Sequence, residues 1–147
     1  MPAFLHLRIH LIWSTVGRAP SIRAVWRENL YAYFAGICDN VGATLLIAGG
    51  MPDHFHLYVS FKGTHSVAEM VNILKSNSSR WIHENHDRGF AWQTKYAAIS
   101  VSKSAEDALF HYIRTQESHH LKKTYEEELI EFLQRHNIEY NPVYLLE

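Results

Sequence analysis

The stretch PDHFHLYVS, residues 52–60, places two histidines two positions apart inside an apolar run. Successive side chains of a β-strand point to opposite faces of its sheet, so the alternation divides these residues into two sets. One set is apolar and predicts contact with a hydrophobic core: Phe55, Leu57, Val59 and Phe61. The other set is polar and includes both imidazoles: His54, His56, Tyr58 and Ser60. The apolar set is explained by packing, whereas the polar set needs a separate explanation.

A second alternating stretch, FLHLRIHLIW, occupies residues 4–13. Its apolar positions share one face: Leu5, Leu7, Ile9, Leu11 and Trp13. Its polar positions share the opposite face: His6, Arg8 and His10. This pattern predicts a half-exposed strand.

The rest of the chain alternates between helical and extended patterns. Strands are predicted at 42–51 and 93–102, and helices at 22–39, about 66–84, about 104–118 and about 124–136. The pairs Ser66 with Glu69 and Thr124 with Glu127 have the spacing of capping boxes, so each marks the start of a helix. Ser104 is predicted to cap the third helix.

Smaller features complete this prediction. Gly49 and Gly50 predict a turn before the histidine strand. Trp92 and Tyr96 are expected in the core. The acidic run 126–128 is expected to be exposed at the start of the last helix, where acidic side chains complement the helix dipole.

This element order predicts an α+β fold of the ferredoxin-like βαββαβ type, with an antiparallel sheet and helices on one face. Two further helices follow: a tyrosine helix carrying Tyr112 and a tail helix at 124–136. We predict one domain, 1–147, that ends in an irregular arm at 137–147. The first and third strands are central neighbours in this topology, so the polar residues of both should meet on an uncovered face.

Composition narrows the class of protein. The chain has 147 residues, 47% of them hydrophobic, which is typical of a globular domain. Cys38 is the only cysteine, so an intrachain disulfide is excluded. No apolar run approaches the length of about 20 residues that a membrane span needs, and no export signal is visible, so we expect a cytoplasmic protein. The net charge of −1 argues against a general polyanion binder, so any nucleic-acid surface must be local.

Histidines at positions i and i+2 of a strand can both bind one metal ion. A third ligand is needed, and the stretch FHYIRTQESHH, residues 110–120, offers candidates. Tyr112 and Gln116 are four residues apart and share a helix face, which His119 and His120 continue. A free tyrosine has a pKa of about 10, so its phenol needs a nearby cation or a base to lose its proton. A tyrosine activated in this way beside a metal can attack a phosphodiester.

Each of these features also has an ordinary structural explanation. A histidine pair on a strand is often a polar face with satisfied hydrogen bonds, and a lone tyrosine is often a packing residue. Glutamine favours helices in general, and basic side chains are mostly solvated. The functional interpretation therefore depends on the combination of His54, His56, Tyr112 and Gln116.

That combination resembles the HUH nucleases, and within them the single-tyrosine transposases of small insertion sequences. MPDHFHLYVS resembles the histidine–hydrophobe–histidine motif, and YIRTQESHH resembles the tyrosine helix. Other stretches are similar to the family's first strand, its second helix and the strand before the tyrosine helix: 10–15, 71–82 and 92–102. The resemblance covers nearly all of residues 4–136.

The resemblance implies a mechanism. Tyr112 matches the nucleophile that attacks single-stranded DNA, and His54, His56 and Gln116 match the ligands of a divalent metal, Mg²⁺ or Mn²⁺. Two imidazoles and an amide would suit zinc as well. The product is a 5′-phosphotyrosine linkage and a free 3′-hydroxyl, which can attack a second linkage and join new ends.

The resemblance also implies partners. Members of the family act as homodimers on DNA with hairpin ends, and in many of them the tyrosine helix of one subunit completes the partner's site. The polar connection 102–107 is suited to act as the hinge for such an exchange. Phosphate contacts are expected from six residues: Arg8, Lys75, Ser78, Ser79, Arg80 and Lys95.

Three alternatives stay open at this point. A replication initiator or relaxase uses the same site, although relaxases often place the tyrosine ahead of the histidines, whereas Tyr112 follows His56. A domesticated, non-catalytic nucleic-acid-binding protein is the second. The third is a metal-dependent phosphoester hydrolase, which needs a carboxylate near the metal; Asp53 is expected to point away from His54. No role follows from the sequence for His111, His119 or His120.

Overall fold

Four strands form one antiparallel sheet in a computed structural model that describes residues 3–116 and 123–145. They are β1 (Leu7–Ser14), β2 (Thr44–Met51), β3 (His54–Phe61) and β4 (Ala97–Ser100). The order across the sheet is β2-β3-β1-β4. The predicted central pairing of the first and third strands is confirmed, because β1 and β3 pair along their whole length.

The helices are α1 (Ala24–Asn40), α2 (Val67–Asn85), α3 (Glu106–Arg114), α4 (Tyr125–Arg135) and the short α5 (Pro142–Leu145). The Ser66–Glu69 capping box at the start of α2 is confirmed. Thr124 caps α4 by accepting a hydrogen bond from the backbone N–H of Glu127. The prediction for Ser104 is wrong: it lies in a 3₁₀ turn, and α3 begins two residues later without a side-chain cap.

Helices α1 and α2 pack against one face of the sheet and enclose the main core. This face carries most of the apolar residues predicted from the alternation, including Leu11 and Trp13 of β1 and Phe55 and Leu57 of β3, all fully buried. The prediction is wrong for Leu5, which precedes β1, and for Leu7, because both side chains are exposed. Each buried side chain of this set contributes about 1.5–3 kcal/mol to stability. The core therefore fixes the register of β3, and with it the direction in which His54 and His56 point.

The opposite face of the sheet is covered, contrary to the expectation of an open polar surface. Helices α3 and α4 lie over it through two smaller apolar clusters. In one, Ile12 and Ile99 contact Tyr125 and Phe132 of α4. These apolar residues on the sheet's second face, together with the apolar stripe of α4, make closure of this face favourable. The histidines consequently lie in the interior.

Gly49 and Gly50 lie within β2, so the prediction of a turn there is wrong; the turn is at residues 52–53. A Cβ atom at Gly49 would be 2.7 Å from Cγ2 and 2.8 Å from the carbonyl oxygen of Ile113. The glycine therefore permits the end of α3 to approach the backbone of β2 closely.

Strand β4 is shorter than the predicted 93–102. In the segment before it, the Lys75 Nζ donates hydrogen bonds to the carbonyl oxygens of Gln93 (2.6 Å) and Lys95 (3.0 Å), and the backbone N–H of Gln93 donates to the carbonyl oxygen of Ser14. Trp92 is in the core as predicted, but Tyr96 is 41% exposed. The arm at 137–147 is not wholly irregular, because it contains α5.

Candidate active site

His54 and His56 lie side by side near the start of β3, with ring centroids 5.3 Å apart. Both side chains are fully buried beneath α3 and α4. Opposite them on β1 are Ser14 and Ile12. The strand pleat thus directs the two imidazoles to the same side, as the i, i+2 spacing predicted.

His54 is oriented by the residue before it. Its Nδ1 lies 2.7 Å from Oδ1 of Asp53. The expectation that Asp53 points away from His54 is wrong, because Asp53 belongs to the turn, where strand alternation does not apply. Burial lowers the pKa of His54, but hydrogen bonds to Asp53 and Glu128 outweigh burial, so its pKa is raised.

His56 is oriented by a histidine of the neighbouring strand. Its Nδ1 lies 2.8 Å from Nε2 of His10, and the two rings stack with centroids 5.1 Å apart. Burial, with the nearby His56 imidazole, holds the pKa of His10 well below its usual range, so His10 is neutral. The predicted convergence of polar residues from β1 and β3 is therefore confirmed for His10, whereas His6 precedes β1 and is exposed.

Glu128 of α4 is the site residue that the sequence interpretation missed. Its Oε1 lies 2.6 Å from Nε2 of His56, and its Oε2 lies 3.7 Å from Nε2 of His54. We expected it to be exposed, yet it is 3% exposed. It lies on the apolar face of α4, three residues after Tyr125 and four before Phe132. That helical spacing could have identified it as buried.

Gln116 follows α3 and reaches the same space. Its Nε2 donates to both carboxylate oxygens of Glu128, at 3.2 and 3.3 Å, and lies 3.4 Å from Nε2 of His54. The side chain is 3% exposed. Among the described residues, none provides a hydrogen-bond partner for its Oε1. A buried carbonyl oxygen in that state is available as a ligand.

Tyr112 of α3 lies beside the histidines of its own chain. Its ring centroid is 5.7 Å from that of His56 and 5.3 Å from that of Phe132. Burial, together with the charge of Glu128 and a hydrogen bond to it, raises the pKa of Tyr112 well above its usual range. The phenol is therefore protonated here, and it needs a nearby positive charge to become a nucleophile.

The start of α3 is attached to the sheet. The Glu106 carboxylate accepts hydrogen bonds from the Arg8 guanidinium and, at 3.0 Å, from the Tyr58 hydroxyl. Arg8, expected to contact phosphate, is thus engaged within the protein. The connection 102–107, expected to act as a hinge, contains a 3₁₀ turn (Lys103–Ala105) and this attachment point.

The other residues expected to contact DNA occupy different environments. The ammonium of Lys75 binds two backbone carbonyl oxygens. Ser78 is fully buried and accepts a hydrogen bond from Nε1 of Trp92. Ser79 and Lys95 are half-buried and Arg80 is exposed. DNA contact by any of these residues stays a prediction. His111 is exposed, and His119 and His120 lie outside the described residues.

In a comparison with protein families, residues 3–116 match the family described as "Transposase IS200 like". The chain belongs to the IS200-like transposases. This result confirms the resemblance to single-tyrosine HUH transposases that the two sequence motifs indicated. Membership of this family implies DNA cleavage and strand transfer.

Individual relatives agree with this assignment. This IS200-like transposase is 25% identical over 117 residues to the ISDra2 transposase TnpA of Deinococcus radiodurans, covering 75% of this chain and 84% of the relative. A crystal structure of a transposase from the same organism has a TM-score of 0.65 and 24% identity, covering 79% of this chain and 95% of the other. A REP-associated tyrosine transposase bound to a REP hairpin has a TM-score of 0.60 and 12% identity, covering 82% and 72%. These two structures support the fold.

The donors of this IS200-like transposase fit a divalent cation. Ligand atoms of His54, His56 and Glu128 all lie within 4.8 Å of one another, and the Oε1 atom of Gln116 is buried beside them. Imidazole nitrogen and carboxylate oxygen together are common ligands of first-row metals.

Among the described helices, none has the length and apolar character that crossing a membrane requires.

Proposed function

We propose that this chain is a metal-assisted transposase that cleaves and rejoins single-stranded DNA, with Tyr112 as the nucleophile. The observation that carries the proposal is the position of Tyr112, whose ring centroid is 5.7 Å from that of His56 and whose side chain is hydrogen-bonded to Glu128. His54, His56 and Gln116 are the proposed metal ligands. Asp53 and His10 hold the two imidazoles so that each Nε2 faces that centre.

We propose the cleavage step that the family resemblance implies, carried out by these residues. The Tyr112 Oη forms a bond to the scissile phosphorus, and the bond from phosphorus to the 3′ oxygen breaks. The phenolic proton leaves Oη, the departing 3′ oxygen gains a proton, and the 5′ phosphate stays on Tyr112. A bound Mg²⁺ or Mn²⁺ supplies Lewis-acid polarisation of the phosphate and favours the phenolate. The reverse reaction, with a new 3′-hydroxyl, rejoins the strand without an added energy source.

The substrate follows from family membership and from the surface next to the site. A groove of about 610 Å³ between α1, β2 and the end of α3 has Gln116 on its wall together with Arg27 and Arg114. The Arg114 guanidinium suits a phosphate backbone, whereas that of Arg27 donates a hydrogen bond to the carbonyl oxygen of Ile22 at 2.8 Å. The similar REP-associated transposase is bound to a hairpin. We therefore propose single-stranded DNA with hairpin ends as the substrate. The homodimer is proposed as the working form from the family resemblance alone.

A denaturant-resistant adduct tests the nucleophile. The protein is incubated with end-labelled single-stranded DNA and Mn²⁺ or Mg²⁺ and then separated in denaturant. We expect Tyr112→Phe to abolish the labelled protein band while DNA binding is retained. Tyr125→Phe is the matched control, because the Tyr125 ring is also close to the site, 4.6 Å from that of His54. An adduct that persists in Tyr112→Phe and disappears in Tyr125→Phe would transfer the role to Tyr125.

A phosphoester hydrolase is the second candidate, because the carboxylate that it requires is present as Glu128. Such an enzyme would activate water, so the same assay would yield cut DNA with no protein adduct. Family membership favours the transposase. The labelled-protein band distinguishes the two reactions directly.

A further inference from the structure

Helix α4 is attached over the histidines at three points. The Tyr125 ring lies against His54, Phe132 lies against His10 and Tyr112, and Arg18 forms an ion pair of 2.8 Å with Glu126. These contacts place Glu128 between β3 and α3. The carboxylate is therefore part of the packed interior.

We infer that Glu128 is a ligand of the divalent cation, so that the tail helix completes a metal site begun by β3 and α3. The inference rests on the proposed function and deepens it, since it adds a charged oxygen donor from a third element to the proposed set of His54, His56 and Gln116. Because four protein groups would then hold the ion, the DNA-free protein is expected to bind it.

Distance is the first argument. One oxygen of Glu128 is already 2.6 Å from His56 Nε2, and the other is 3.7 Å from His54 Nε2. His10 contacts Nδ1 of His56, and Asp53 contacts Nδ1 of His54. The Nε2 atom of each ring is therefore the nitrogen that faces Glu128. Atoms bound to one cation are separated by similar distances, so only small movements convert this cluster into a coordination shell.

Charge is the second argument. A carboxylate buried to this degree is costly unless positive charge compensates it. The contacts of Glu128 on this face are two imidazoles, the Gln116 amide and the Tyr112 phenol. A divalent cation would provide stronger compensation than these groups. The buried Oε1 of Gln116 supplies a further oxygen donor at the same place.

Metal binding to the DNA-free protein tests the inference. Free Mn²⁺ is titrated with protein and followed by electron paramagnetic resonance, which detects the unbound ion. We expect Glu128→Ala to weaken Mn²⁺ binding by more than about 100-fold, because loss of a group that only orients ligands costs about 10–100-fold. A loss within that lower range would assign Glu128 to orienting His56 and would overturn the inference. Glu128→Gln should weaken binding less, because the amide keeps an oxygen donor but loses the charge. Glu131→Gln, an exposed acid on the same helix, should bind as the wild type does.

The possible outcomes distinguish a failure of this inference from a failure of the proposed function on which it rests. If His54→Ala loses Mn²⁺ while both Glu128 variants bind as tightly as the wild type, Glu128 is not a ligand and the proposed metal site survives. Tighter binding by these variants would show that the carboxylate competes with the ion, which also overturns the inference. If neither the wild type nor His54→Ala binds Mn²⁺ without DNA, the inference is overturned, and the adduct assay with DNA and Mn²⁺ decides the proposed function separately. Circular dichroism checks folding, and the isosteric Glu128→Gln decides the question if Glu128→Ala unfolds.

Discussion

The Nε2 atom of His10 lies 2.8 Å from Nδ1 of His56, across the central pair of strands. Because His10 is neutral, one nitrogen of this contact donates and the other accepts, and the contact keeps the second nitrogen of His56 directed at Glu128. A residue outside the HUH motif therefore orients one of the motif's two histidines.

This contact gives the first prediction. His10→Ala should weaken Mn²⁺ binding by about 10–100-fold, because the ring of His56 loses the partner that orients it. His10→Gln, which offers an amide to the same nitrogen, should restore part of the affinity. Titration of the DNA-free protein with Mn²⁺ measures both. Equal affinities in the wild type and His10→Ala would assign His10 to packing alone.

The second prediction concerns the attachment of α3. Removing the carboxylate in Glu106→Ala takes away the acceptor of both Arg8 and Tyr58 and loosens the start of the helix that carries Tyr112. Adduct formation should slow by up to about 100-fold, since a displacement near 1 Å is enough for that loss. Mn²⁺ binding should change little, which would locate the defect at the nucleophile.

Asp107→Ala is the matched control for this variant, because Asp107 is an exposed acid in the same helical turn. It should form the adduct at the wild-type rate. If both variants slow the reaction equally, the effect comes from charge at the helix start and not from the attachment to the sheet.

Lys75 gives the third prediction, which concerns stability. Lys75→Met leaves the two carbonyls that Nζ contacts without that donor and should lower the free energy of unfolding by about 1–3 kcal/mol in urea titrations. Arg80→Met, an exposed position on the same helix, should be close to neutral. An unchanged unfolding free energy for Lys75→Met would show that the two contacts do not stabilise the fold, which would favour the predicted DNA contact.

The same lysine predicts a pH dependence. Burial lowers the pKa of Lys75 to about 8 from 10.5. Between these values the unfolded chain binds more protons than the folded one, so this group makes the unfolding free energy rise with pH from about 8 towards 10. The increase should be smaller in Lys75→Met. Urea titrations of both proteins at pH 8, 9 and 10 measure the difference, and parallel pH profiles would contradict the prediction.

The fifth prediction concerns whether two subunits share active sites. Tyr112 lies beside the histidines of its own chain, so one subunit contains all the proposed catalytic groups. Mixing Tyr112→Phe with His54→Ala protein should therefore not restore adduct formation. Restored activity would instead show that tyrosine helices exchange between subunits, as in the composite sites of many family members.

The sequence alone predicted much of this fold because two strands alternate strictly. The element order predicted the central pairing, and the apolar sets on β1 and β3 predicted the buried face and the common direction of His54 and His56. The Ser66–Glu69 capping box located the start of α2 for a local reason, since both of its hydrogen bonds form within one turn.

The errors arose where distant contacts decide the outcome. The acidic run of α4 suggested a solvated helix start, but contact with Ile12 and Ile99 turns that helix inward and buries Glu128. Lys75 was predicted to be a DNA contact because its charge was visible in the sequence, while its backbone partners, 18 and 20 residues away, were not. Local patterns do not contain this information.

Gly49 limits which mutations this protein can accept during evolution. Its missing side chain is the gap into which Ile113 fits, one residue beyond Tyr112 and three before Gln116. A methyl group there would push the end of α3 outward and carry the phenol and the amide with it. The reach of the nucleophile is thus set on a strand that contributes no reacting atom, so mutation of β2 can silence the chemistry while every polar residue of the site remains.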